Sequence, residues 1–135
     1  MYAIHKADLP LIGSSYNFVG ADHQDVAVSV YFVEMEPGRG APLHIHEYDE
    51  ILITMEGRAR AVVGNEVRES GPGDILVVKA LTPHGFVNIG DGMLKQIDIH
   101  TSPRFKQENL EPTETSKKAG LPVIPTASQT AETKS

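Results

Sequence analysis

What most restricts this chain is the placement of its breakers. Apolar residues fall in short runs rich in valine and isoleucine, cut by Pro37-Gly38-Arg39-Gly40, Gly57, Gly64-Asn65, Gly71-Pro72-Gly73-Asp74 and Gly90-Asp91-Gly92. No run sustains a 3.6-residue period over three turns, so strands rather than helices are the repeating element. Strands are expected over residues 25–36, 43–46, 50–55, 58–63, 66–69, 75–78, 84–89 and 93–100, about eight short antiparallel strands at regular spacing. Such a chain suits an all-β jelly roll or sandwich and leaves no length for crossover helices.

The 135 residues fit a single hydrophobic core. A net charge of -6 is spread along the chain, and the 12 Lys and Arg form no stripe, which argues against a nucleic-acid partner. Without cysteine, disulfides, thiolate ligands and thiol nucleophiles are all excluded, so imidazole and carboxylate must hold any transition metal. Residues 1–10 lack a basic stretch followed by an apolar run, and no segment approaches the ~20 apolar residues of a membrane span. No membrane partner is expected, and the cytoplasm is the expected location. Over residues 111–135 the composition shifts to Thr, Ser, Lys, Pro and Ala. This reads as a solvated tail, or as an arm that docks Leu121, Val123 and Ile124 on a neighbouring surface or partner chain.

The chemistry concentrates in two places. His44 and His46 stand two apart in a segment suited to a strand, so their side chains share a face. Glu50 keeps the same parity across a short turn, and His84, after Pro83 at the opening of a later strand, is the natural fourth ligand. Three imidazoles and a carboxylate suit one divalent Fe, Mn, Ni, Cu or Zn ion, with two octahedral positions left for substrate or dioxygen. His100 ends a strand in which either Gln96, Asp98 and His100 or Lys95, Ile97 and Ile99 face inward. An inward polar set would place Gln96 and His100 near the metal as supporting partners or an acid/base pair, and Tyr31 and Tyr48 are further candidates. Arg58 and Arg60 read as a solvated strand face, and His5 and His23 as surface residues.

The chain resembles the cupin superfamily. The first cupin motif, G-x5-H-x-H-x3-E-x6-G, is matched at each fixed position by Gly38, His44, His46, Glu50 and Gly57. The second, G-x5-P-x-G-x2-H-x3-N, is met by Gly73, His84 and Asn88, with Lys79 in place of proline and Leu81 in place of glycine. The likeness extends over roughly residues 10 to 105. It implies a cupin jelly-roll β-barrel (double-stranded β-helix) over residues 1–110 with an extended N-terminal arm, a tail or arm over 111–135, and an inward metal held by three His and one Glu.

Similarity to small quercetinase-like dioxygenases implies a small-molecule metalloenzyme in which oxygen and substrate share the metal. Glu50 would be a ligand that doubles as base, and Tyr48 or His100 would steer the substrate. The alternatives are a non-redox isomerase or lyase, and a non-catalytic ligand-binding or sensing module. A cavity lined only by Leu52, Phe86, Ile97 and similar residues would favour binding, whereas convergent polar groups would favour catalysis. Exposed edge strands and two terminal arms make a homodimer the expected assembly.

Overall fold

The computed structural model describes residues 1–124 and the backbone of 130–133. In chain order the strands are β1 (Leu11–Ile12), β2 (Ser15–Phe18), β3 (Ser29–Met35), β4 (Gly40–Ile45), β5 (Glu50–Glu56) and β6 (Ala59–Val63). They continue as β7 (Glu66–Ser70), β8 (Ile75–Val78), β9 (His84–Asn88), β10 (Leu94–His100), β11 (Phe105–Asn109) and β12 (Thr130–Thr133), with one α-helix, α1 (Glu114–Ala119), before the last. The strands form two six-stranded sheets, ordered β1-β2-β3-β10-β5-β8 and β12-β11-β4-β9-β6-β7. Every pairing is antiparallel. This is the double-stranded β-helix expected, and tight turns let the chain alternate between its two walls. Gly57 makes one of them at φ +83°, where a Cβ would stand 2.8 Å from the Met93 carbonyl oxygen, so strain and contact both require glycine.

Two apolar clusters hold the walls. Val33, Ala59, Ala61, Phe86 and Leu94 fill the space between the sheets. Leu43, Val62, Val87, Ala119 and Leu121 pack on the outer face of the second sheet. Strand β9 is therefore buried at every residue, as expected of a strand covered on both faces.

The fold departs from expectation in three places. The hairpin β1–β2 and strand β11 are too short and too polar to show as apolar runs, and with β12 they raise the strand number to twelve. The strand expected from residue 25 starts at Ser29, because Gln24 and Asp25 take left-handed φ of +63° and +53°. Residues 114–121 do not lie free in solvent. Thr113 caps α1 through a reciprocal box with Ser116, Gly120 closes it at φ +83°, and Arg60 Nη1 donates to the Ala119 carbonyl at 3.2 Å. Leu121 docks on the chain's own second sheet, whereas Val123 stays exposed. Residues 125–129 and 134–135 of the expected tail or arm lie outside the described residues. No helix among the described residues is long and apolar enough to cross a membrane.

Candidate metal centre

Register brings the site together. His44 on β4 pairs directly with His84, the first residue of β9, and Glu50, the first residue of β5, pairs directly with His100 at the end of β10. Directly opposed residues have their Cβ atoms about 5 Å apart, so each pair meets on the inner face. His46 follows β4 by one residue and keeps the parity of His44. All four expected ligands, His44, His46, Glu50 and His84, are buried, and one ligand atom from each lies within 4.8 Å of all the others.

Backbone carbonyls set the imidazole tautomers. The Nδ1 of His44 lies 2.6 Å from the Pro42 oxygen, that of His46 2.7 Å from the Lys106 oxygen, and that of His84 2.9 Å from the Thr82 oxygen. A carbonyl only accepts, so each Nδ1 carries the proton, and the neutral ring presents a bare Nε2 lone pair to the interior. His84 Nε2 then faces Glu50 Oε1 at 2.8 Å and His46 Nε2 faces it at 3.3 Å, acceptor against acceptor. His46 Nε2 is buried without a hydrogen-bond partner. With the rings neutral, a divalent ion of the kind bound by N and O donors would satisfy these lone pairs and fits the set. Burial, reinforced by the neighbouring His84 and His46, pushes His44 well below the ordinary imidazole range, which keeps its lone pair available.

Glu50 is kept anionic despite its burial. Burial alone would raise its pKa, but the electrostatic attraction of His100 and its hydrogen bond to Oε2 hold it well below the usual carboxylate range. Its Oε2 lies 3.1 Å from His100 Nε2. That nitrogen therefore carries a proton, and Tyr48 Oη, 2.7 Å away, donates to His100 Nδ1. Tyr48 also stacks on His46 with ring centroids 4.9 Å apart. Burial raises the Tyr48 phenol, so it remains a donor.

The polar set of β10 faces inward: Gln96, Asp98 and His100 are buried. The cluster borders a cavity of about 260 Å³, whose walls include Val33, Leu52, Phe86, Phe105, Asp98 and His100. Ile97, which an apolar lining favouring binding would have included, points the other way on β10. Tyr31 lines the cavity, whereas Tyr48 stands behind His100, outside the lining residues. Gln96 turns from the His–Glu cluster to donate to Asp98 Oδ1 at 2.8 Å. Sequence reasoning attached no role to Asp98 or to the Lys106 carbonyl; the alternation of β10 pointed to the first, and no residue type signals the second. Arg58 and Arg60 both pair with Glu69 on the outside, as a solvated strand face would. His5 is exposed, and His23 is half-buried against Phe18 with ring centroids 4.4 Å apart.

Fold and cluster define a β-barrel protein with a buried site able to bind a divalent metal. The chain belongs to the cupin family, whose cupin domain matches residues 31–100. A segment of 68 residues is 31% identical to the HTH-type transcriptional activator RhaS of Mannheimia succiniciproducens, covering 50% of this chain and 25% of that protein. Among solved structures, the formate complex of Lactobacillus farciminis oxalate decarboxylase has a TM-score of 0.68 at 23% identity, covering 76% of this chain and 34% of that one. An oxalate oxidase has a TM-score of 0.64 at 19% identity, covering 75% of this chain and 59% of that one. The chain thus spans a quarter of the curated relative and less than two thirds of either solved chain.

Proposed function

We propose that this cupin is a metal-dependent enzyme of dioxygenase type acting on a small enolisable or anionic molecule. The observation that carries the reading is the acceptor-against-acceptor cluster beside a cavity holding further polar groups. His44, His46, Glu50 and His84 would hold one divalent ion. When bound, such an ion supplies Lewis-acid charge and, if redox-active, electrons for dioxygen chemistry. The residues around it do the rest. Apolar walls exclude water from the substrate. Glu50 accepts a substrate proton, and His100 holds the proton facing Oε2. Tyr48 acts through His100 Nδ1, fixing the ring rather than touching substrate. An oxalate decarboxylase and an oxalate oxidase among the structural neighbours support metal-assisted small-molecule chemistry without fixing the substrate.

The test is elemental analysis of tag-free protein with His44→Ala as control, followed by oxygen uptake with small enolisable substrates. Near-stoichiometric Fe, Mn, Cu or Ni, absent from the variant, with substrate-dependent oxygen uptake supports the reading. Zinc without oxygen uptake moves it to a non-redox isomerase or lyase. No metal, and none bound on adding each ion, overturns it. The match to a transcriptional activator favours a second reading, a ligand-sensing barrel without turnover. Binding of a small molecule that is recovered unchanged would select that one.

A further inference from the structure

Resting on the metalloenzyme reading, we infer that the cavity takes a small molecule with one chelating, monoanionic end and a largely apolar body, whose far polar group meets Asp98. Small dianions such as oxalate are disfavoured.

The charge inventory points this way. Among the described residues lining the cavity, the carboxyls are Glu50 and Asp98, and no lysine or arginine is present. A divalent ion beside the Glu50 carboxylate leaves one net positive charge, which a single anionic chelating group neutralises. A dianion, even with both carboxylates on the ion, leaves one net negative charge buried with no lysine or arginine in the lining to meet it. The walls fit an apolar body: Val33, Met35, Leu52, Phe86 and Phe105 line it. The volume of about 260 Å³ gives room for a single ring and a substituent.

Asp98 is built for the far end. It is 7% exposed, its Oδ1 accepts from Gln96 Nε2, and among the described residues no hydrogen bond engages Oδ2. It shares the inner face of β10 with His100, two residues on, about 7 Å along the strand. Burial, reinforced by the Glu50 charge and opposed by the Gln96 hydrogen bond, raises its pKa well above the carboxylate range. A neutral carboxyl both donates and accepts, which suits a hydroxyl on the substrate.

The test uses the full chain loaded with Mn(II) and three probes followed by calorimetry. Kojic acid is a monoanionic hydroxypyranone chelator with a hydroxymethyl group; allomaltol is the same ring with a methyl instead; oxalate is the dianion. Allomaltol is expected to bind at least tenfold more tightly than oxalate, and kojic acid several-fold more tightly than allomaltol. In Asp98→Leu, checked for unchanged metal stoichiometry, the preference for kojic acid over allomaltol should vanish. Oxalate binding as tightly as allomaltol to metal-loaded protein overturns the inference while leaving the metalloenzyme reading intact. So does a kojic acid preference that survives in Asp98→Leu. If Asp98→Leu fails to fold, the wild-type comparison of allomaltol with oxalate still decides the charge class. Failure to take up metal at all overturns both.

Discussion

Leu81 occupies a conformation that belongs to glycine. Its φ is +65°, a region that costs an L-residue roughly 1 to 2 kcal/mol, and its side chain is 62% exposed, so packing returns little. The cupin motif has glycine at this place, and the turn before His84 keeps its shape with leucine forced into it. Leu81→Gly is expected to stabilise the protein by about 1 kcal/mol, raising Tm by about 3–5 °C with metal content unchanged; differential scanning calorimetry reads it. At this scale the buried cluster was legible, because the spacing of His44, His46 and Glu50 carries its own parity and Pro83-His84 marks a strand opening. Their orientation was not. The carbonyls of Pro42, Thr82 and Lys106 fix the tautomers, and every residue type has a carbonyl. Asp98 was hidden for a related reason: a buried carboxyl and a solvated one look alike in a sequence.

Strand β10 alternates so clearly that its two faces could be separated by reading alone, but not which one turned inward. Ordinary core logic puts Ile97 and Ile99 inside, whereas a site needs the opposite, and the structure buries Gln96, Asp98 and His100. Helix α1 escaped notice because six residues are too few for a 3.6 period, and its N-terminal box uses Ser116 where glutamate or glutamine is the usual signal. The helix matters because it brings Ala119 and Leu121 over the outer cluster. Leu121→Ala should cost about 2–4 kcal/mol in urea unfolding, whereas Thr113→Ala, which removes only the cap, should cost about 1 kcal/mol. Equal losses would mean that α1 is held by its cap rather than by packing.

For the whole molecule, buried groups of opposite sense set how stability depends on pH. Burial lowers the pKa of His44 and His100, so between their folded values and about 6.5 the unfolded chain binds more protons than the native one. Stability from these groups is full above about 6.5 and declines as pH falls below it. Glu50, depressed in the fold, adds a further loss once pH drops under its unfolded value. Asp98, raised in the fold, acts the other way and loses stability as pH rises above its unfolded value, so the histidines are read in Asp98→Leu: its metal-free urea midpoint should be lower at pH 5.5 than at pH 7.5, and a flat profile there would contradict the buried neutral histidines. An ion at one hundred times its Kd should add about 2.7 kcal/mol at neutral pH, and His44→Ala should erase that increment in a thermal melt. Glu50 belongs to the first sheet, and His44 and His84 to the second. An ion among them is a rivet through both walls of the barrel, so the walls separate no faster than the rivet is withdrawn. The dwell time of the metal then becomes the clock for native-state hydrogen exchange in β5 and β9, and a chelator acts on this protein as a solvent for its seam.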